Sequence, residues 1–399
     1  MRLARVALED FRSYAKAELR PDAGLTIVAG PNGAGKTNLL EAVYVAITGR
    51  SHRAEVDHEL VRHGAPFGRI RLDLRGDDAR GDDEIRIEVL LPGAEPPQGL
   101  RKRVSVNGLA RRVGSLGETA RAVLFRPEEM LLLVGSPSER RHFLDGIVAQ
   151  RDRRGGRDLV GLARVLAQRN ALLRAIRREE ATPDELGFWD EQLVTAGARV
   201  MVARLRVVAE LARRVGPLHD AVAPEPERGE RVRLGYADSL KAAWPGRPGQ
   251  LERATDDEAG LVGDLEAAYR TRIAEVRQKE LWNGVSLVGP QRDDLRVELD
   301  GRDVAVHASR GQQRTIILAL KLAETDILAL DGPTPIVLLD DVFSELDPER
   351  SEHVLDLLLA RGQVLVTMAD LGALPARRRR SVPTWQVGDG RLSPVARVA

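Results

Sequence analysis

The run Gly30-Pro31-Asn32-Gly33-Ala34-Gly35-Lys36-Thr37 fits the pattern G-x-x-x-x-G-K-[ST]. Glycines at this spacing let successive backbone N–H groups curl around phosphate oxygens, and the start of a following helix adds partial positive charge. In such a loop the Lys36 ammonium reaches the β- and γ-phosphates of a nucleotide and the Thr37 hydroxyl takes Mg²⁺. Far along the chain, Ile336-Val337-Leu338-Leu339 is followed by Asp340 and Asp341. An apolar strand ending in two acids delivers carboxylates to the edge of a parallel sheet, where Asp340 binds Mg²⁺ through its water shell and Asp341 orients or polarises the attacking water. Between these lies Ser309-Arg310-Gly311-Gln312-Gln313-Arg314, and after the acids comes Ser344-Glu345-Leu346-Asp347. Taken singly, Ser and Gly at a helix start are ordinary caps and an Asp is an ordinary strand end. The combination carries the chemistry.

These residues need elements to hold them. Leu3, Val6 and Leu8 predict a first strand and 24–29 a buried strand ahead of the glycines. A helix from Lys36 to Thr48 follows, with Leu39, Leu40, Val43 and Ile47 at helical spacing. Residues 67–113 alternate as antiparallel strands, with an acidic turn at 76–83, a Pro-rich loop at 92–97 and an Asn107-Gly108 hairpin. From 138 to 280 the period is helical: Leu159, Leu162, Leu166, Leu173 and Ile176 share one face, and Leu193, Val200, Val207 and Leu211 another. Loops are expected at 216–230 and 244–259. Beyond 284 come a hairpin at Asp300-Gly301, a helix over 312–330, strands at 336–340 and 364–367, and a helix over 348–361. The expected architecture is α/β, with a mixed sheet and an antiparallel subdomain built from both ends of the chain and a compact helical lobe between. Its parts are 1–135, 136–283 and 284–399. Pro and Gly breaks make the insert a lobe, not a long coiled coil.

Composition removes other classes. The chain of 399 residues has no Cys, which excludes disulfides, thiolate metal sites and thiol nucleophiles and agrees with a reducing cytoplasm. The charged N-terminus predicts no signal peptide, and no apolar run approaches the roughly 20 residues of a membrane span. A net charge of +1 excludes a uniformly basic coat. Local basic groups remain at 101–103, 111–112, 151–154 and 377–380 as candidate phosphate contacts, each weighed against a solvated charge run. Aromatics at 4% disfavour a base-stacking platform, so backbone reading of duplex is the better expectation.

The set of phosphate loop, Ser-x-Gly-Gln segment, double acid and Ser-Glu-Leu-Asp resembles the ATP-binding-cassette ATPases. The resemblance implies an ATP sandwich: Ser309, Gly311 and Gln312 of the signature segment face the γ-phosphate held by a second copy, and Asp347 of the D-loop lies near that copy's loop. Lys36, Asp340 and Asp341 are then the catalytic group.

Four segments narrow the resemblance: Phe11-Arg12-Ser13-Tyr14, Thr37-Asn38-Leu39-Leu40-Glu41-Ala42, Gly289-Pro290-Gln291-Arg292-Asp293-Asp294-Leu295 and Asp340 to Asp347. Together they are similar to the bacterial RecF family of recombinational repair ATPases, from the first strand to Asp370. That implies a cytoplasmic, ATP- and Mg²⁺-dependent homodimer on duplex DNA or single-strand/duplex junctions. It also implies Arg12 and Thr367 at the nucleotide, RecO and RecR as partners in loading RecA, and support of the SOS response. The chain departs from its pattern. Gln291 stands where the family usually has His, Asp341 where most cassette ATPases have Glu, and Thr367-Met368-Ala369-Asp370 carries no switch histidine. Slow, DNA-dependent hydrolysis is the expectation. A non-hydrolysing clamp and, less favoured, a transporter energy subunit or a long-range tether stay open.

Overall fold

The computed structural model describes residues 1–76, 84–244, 250–373, 378 and 382–395. In chain order it runs β1 (Arg2–Phe11), β2 (Tyr14–Leu19), β3 (Leu25–Ala29), α1 (Lys36–Thr48), β4 (Phe67–Arg75), β5 (Glu84–Pro92), β6 (Arg103–Val106), β7 (Leu109–Arg111) and β8 (Ala122–Phe125). The middle comprises α2 (Leu131–Val134), α3 (Pro137–Arg151), α4 (Arg153–Arg177), α5 (Leu186–Val222), β9 (Val232–Ala237), α6 (Gln250–Asp256) and α7 (Glu258–Asn283). It continues through β10 (Asp294–Leu299), β11 (Arg302–Asp303), α8 (Val304–His307) and α9 (Arg310–Ala329). The chain closes with β12 (Ile336–Asp340), α10 (Pro348–Leu359), β13 (Val364–Met368), β14 (Thr384–Gly388) and β15 (Arg391–Pro394).

Two compact units result, Met1–Glu129 with Glu324–Ala399, and Met130–Ala323. In the first, an antiparallel sheet has the order β2-β1-β4-β5-β6-β7, and a second sheet has the order β15-β14-β3-β13-β12-β8. Strands β14, β3, β13, β12 and β8 are parallel, with β15 antiparallel at the edge. Every residue of β3, β12, β13 and β8 is buried, the signature of strands covered on both faces. Leu39, Leu40, Val43 and Ile47 of α1 join one apolar core with Leu3, Val6 and Leu8 of the antiparallel sheet and Leu338 and Leu365 of the parallel one. The α/β class with an antiparallel subdomain, assembled from both chain ends, is as expected.

The second unit is mainly helical, but not wholly. Strand β9 pairs with β10, which pairs with β11. The helical period expected over 138–280 has no place for β9, although buried Val232, Leu234 and Tyr236 alternate with period two. That pairing draws 284–323 to the helical unit, so the units divide at 129/130 and 323/324 where the sequence reading had drawn 135/136 and 283/284. Neither expected loop holds throughout. Helix α5 continues through Pro217 to Val222 because Val215, Leu218 and Val222 keep its buried face going. In the second, α6 occupies 250–256, and Asp257 caps α7 by accepting from the Gly260 amide at 3.1 Å, so an acid taken for loop is a helix start. Residues 77–83 of the expected acidic turn and 245–249 of the second loop lie outside the described residues. Hairpin β14–β15 was also unforeseen, though Asp389-Gly390, both at positive φ, is a standard hairpin signal.

On the expected apolar face of α4 sits Arg169, fully buried between Leu162 and Leu173. It donates to Asp190 Oδ1 at 2.9 Å, Glu280 Oε2 at 2.6 Å and Ser286 Oγ at 2.8 Å. Burial alone would lower its pKa, but the two carboxylates raise it above the ordinary value and keep the charge. Arg277 adds a second cation to Asp190.

Candidate functional site

The phosphate loop leaves the buried end of β3 and enters α1 directly. Close packing dictates two of its glycines. A Cβ on Gly30 would lie 2.5 Å from the Val387 carbonyl oxygen, and one on Gly35 would lie 2.7 Å from Ser13 Oγ. Gly35 also has φ 112°, which side chains resist. The β1–β2 turn supports the loop from below: Tyr14 donates to the Gly35 carbonyl at 3.0 Å, and Asn38 donates to Ser13 Oγ at 3.0 Å. Burial pushes the Tyr14 phenol pKa up, so it stays a donor. No acidic side chain occupies the first turn of α1, leaving the positive helix end uncompensated. Lys36 is buried and donates to the carbonyls of Gly30 at 2.7 Å and Pro31 at 3.0 Å, within its own loop. Pro31, Asn32 and Gly33 are exposed, Ala34 and Thr37 half-buried.

Strand β13 lies between β3 and β12, with Val28, Thr367 and Asp340 in register. All three strands are parallel, so Gly30, Thr367 and Asp340 share one carboxyl edge. Asp340 is buried and accepts from Thr367 Oγ1 at 2.6 Å. Asp341 turns the chain with φ 51°, and its amide donates to the Thr367 carbonyl oxygen at 3.1 Å and to Thr367 Oγ1 at 3.2 Å. Ser344 closes the turn by donating to the Asp341 carbonyl at 2.8 Å. Asp347 is the exposed N-cap of α10, accepting from the Arg350 amide at 2.9 Å.

Arg12 is gripped by Glu41 of α1. Its Nε and Nη2 donate to the two carboxylate oxygens at 2.9 and 2.8 Å, and Nη1 donates to the Glu59 carbonyl at 2.8 Å. Ser51 donates to Glu41 as well, at 2.6 Å. Burial pushes the Glu41 carboxyl up, but Arg12 and Ser51 outweigh it and hold the pKa below the usual range. His52 beside it is driven down to about 3, first by burial and then by Arg126, so it is neutral. Glu41, within the Thr37–Ala42 segment, is thus the partner of Arg12, a role the sequence expectation lacks. The signal was an acid on an otherwise apolar helix face.

The signature segment belongs to the second unit. Ser309 and Gln312 form a reciprocal cap: the Ser309 amide donates to Gln312 Oε1 at 2.8 Å, and the Gln312 amide donates to Ser309 Oγ at 3.2 Å. Gln312 Nε2 donates to Glu230 Oε1 at 2.6 Å, and Thr315 donates to Glu227 Oε2 at 2.6 Å. Ser309 and Arg310 are exposed, Gly311 half-buried. A Cβ on Gly311 would come within 3.3 Å of Glu227 Oε1.

The Gly289–Leu295 segment is a structural hub. Arg204, paired with Asp145, donates to the Pro290 carbonyl at 2.6 Å, and Arg140 grips Asp294 with two bonds of 2.6 and 2.9 Å. Buried Asp293 accepts from Tyr236 at 2.9 Å and from the Ser239 amide at 2.8 Å. Its pKa is pushed up to about 6 by burial, against those donors and Arg204. Gln291 donates to the Val288 carbonyl at 2.9 Å.

Among the basic groups, Arg101, Arg103, Arg111 and Arg112 are exposed beside β6–β7, and among the described residues none is ion-paired. Lys102 is committed to Asp57 at 2.6 Å and the Gly49 carbonyl at 2.9 Å. Of 377–380 only Arg378 is described, and it pairs with Glu352 and Asp356. No helix of the described residues is long and apolar enough to cross a membrane.

Residues 2–375 match the family model described as the RecF/RecN/SMC N-terminal domain. A Roseiflexus castenholzii DNA replication and repair protein RecF is 36% identical, covering 99% of this chain and 100% of the relative. The Streptomyces avermitilis protein of the same name is 38% identical, covering 92% and 94%. Among solved structures, the recombination mediator protein RecF with ATP superposes with a TM-score of 0.83 at 28% identity, covering 99% of this chain and 97% of that one. An Smc head bound to a domain of ScpA gives 0.54 at 16% identity, covering 99% and 97%, a likeness of fold alone.

Proposed function

The chain belongs to the RecF family of DNA replication and repair proteins, and from that premise we propose that it is an ATP-dependent DNA-binding ATPase working as a nucleotide-driven homodimer. The observation that carries this reading is the sheet edge where the phosphate loop, Asp340 and Thr367 meet on three adjacent parallel strands.

On this reading Lys36 exchanges its loop carbonyls for the β- and γ-phosphates of ATP. The Thr37 hydroxyl and the buried Asp340 carboxylate offer the oxygen donors Mg²⁺ prefers, and an ion held there would neutralise phosphate charge. Thr367 fixes the Asp340 carboxylate, and Asp341 orients the attacking water. Arg12, already locked by Glu41, supports the α1 end of the site. The capped start of α9, with Ser309, Gly311 and Gln312, faces the γ-phosphate of a second copy, and Asp347 lies beside that copy's loop. Asp341 is one methylene shorter than Glu, and no imidazole follows Thr367, so hydrolysis is slow and sets the lifetime of the dimer. Exposed Arg101, Arg103, Arg111 and Arg112 contact duplex or junction phosphates with little sequence preference. The cellular role is to help RecO and RecR load RecA at gaps and so support the SOS response.

Sedimentation with and without ATP and a gapped duplex tests this. Monomer without nucleotide, dimer with it, and tighter DNA retention in the dimer are expected. Lys36→Arg should stay monomeric, and Ser309→Arg should bind ATP without dimerising. A wild-type monomer at saturating ATP refutes the reading. The non-hydrolysing clamp is separated by Asp341→Asn: a prolonged ATP-bound dimer supports release by hydrolysis, and an unchanged lifetime supports the clamp.

A further inference from the structure

Where α5 ends, His219 is fully buried and neither ring nitrogen has a hydrogen-bond partner. A neutral imidazole carries one donor and one acceptor, so leaving both unmet is costly inside a protein. The groups facing it are acceptors too. Nε2 lies 3.9 Å from Glu230 Oε2, itself buried and unpartnered, and Nδ1 lies 3.9 Å from Asp220 Oδ1. One oxygen of Glu227 completes the cluster, in which the ligand atoms of His219, Glu227 and Glu230 all lie within 4.8 Å of one another. One imidazole N–H cannot serve carboxylates on both of its sides, and lone pairs left converging in this way are the arrangement a cation resolves.

We propose that His219, Glu227 and Glu230 form a divalent transition-metal site beside the signature segment. One imidazole with two carboxylates suits a borderline ion such as Zn²⁺ better than Mg²⁺ or Ca²⁺, which favour oxygen alone. Ligands about 2.1 Å from a tetrahedral ion stand about 3.4 Å from one another, so the cluster closes with side-chain movement on the order of an ångström. Asp220 stands on the far side of the ring, where an outer carboxylate orients a metal-bound histidine. The loop joining the ligands is already shaped: the Gly229 amide donates to Asp220 Oδ1 at 3.2 Å, with Gly229 at φ 86°. Glu230 binds the ion through Oε2 while Oε1 keeps its bond from Gln312, and Glu227 keeps an oxygen for Thr315. The site therefore steadies the carboxylates that hold the start of α9 without dismantling its cap.

The test uses the full chain, stripped with EDTA and free of nucleotide, titrated with Zn²⁺ by calorimetry and with Co²⁺ by visible absorption. One equivalent per chain is expected, with a rise in Tm. His219→Asn and Glu230→Gln should each weaken binding at least tenfold, with circular dichroism confirming their fold. Glu230→Gln, partly exposed and isosteric, covers the case in which the histidine variant misfolds. Asp340→Asn should keep the equivalent. Absence of binding below about 100 μM, or an undiminished equivalent in Glu230→Gln, overturns the proposal. The result is independent of the trans role given to Ser309: a chain that binds Zn²⁺ but does not dimerise with ATP would count against that role, and not against the site.

Discussion

At Thr367 a single hydroxyl serves two neighbours, donating to Asp340 Oδ1 and lying 3.2 Å from the Asp341 amide. Thr367→Val keeps the shape and leaves a buried carboxylate oxygen without its donor, at about 1–3 kcal/mol. ATP turnover should fall while ATP binding, read by equilibrium dialysis, persists, and Thr367→Ser should restore turnover. Asp293 makes a second prediction. Its folded pKa of about 6 stands above the unfolded value of 3.8, so between them the folded chain holds a proton the unfolded chain has released. Raising pH through that window weakens the fold, by on the order of 3 kcal/mol for a shift of this size. Denaturant unfolding of wild type against Asp293→Asn should show the wild-type advantage shrinking from pH 4 to 6 and level above it. An advantage that grows with pH would refute the assignment.

Elements built from one strong local pattern were legible, and those whose register is set by distant partners were not. The glycine loop, the apolar run before Asp340 and the faces of α1 and α5 each carry a local signal that the core then uses. Strand β9 failed because its partner β10 lies far along the chain, and Pro217 was read as a break where packing carries α5 past it. For the candidate site, motif spacing singled out Lys36 and Asp340, and the family resemblance the signature residues, but neither showed that Thr367 holds Asp340 or that Glu41 holds Arg12. Both pairings depend on which strand lies beside which. Helix packing in the second unit hangs on Arg169, a cation no periodicity argument puts in a core. Glu280→Gln removes one of its charged partners and should cost about 3 kcal/mol in unfolding of that unit. Ser309→Ala removes one half of the α9 cap, costs about 1 kcal/mol, and should lower dimer formation more than ATP affinity.

At the scale of the molecule, nearly balanced charge confines any grip on nucleic acid to local faces. Among the described residues, Arg101, Arg103, Arg111 and Arg112 are an exposed group without ion pairs. Converting Arg103 and Arg111 to Glu should reduce duplex affinity about tenfold or more and flatten its salt dependence, measured by fluorescence anisotropy, with nucleotide binding unchanged. The order of the parallel sheet has one more consequence. Strand β13 is the middle neighbour of β3 and β12, yet it is made some 330 residues after the glycine loop it flanks. During synthesis the unit of Met130–Ala323, contiguous in the chain, is complete while the first unit still lacks its central strand. A chain emerging from the ribosome therefore has its phosphate loop early but no edge to set it against, and nucleotide competence arrives only as the last stretch is threaded in.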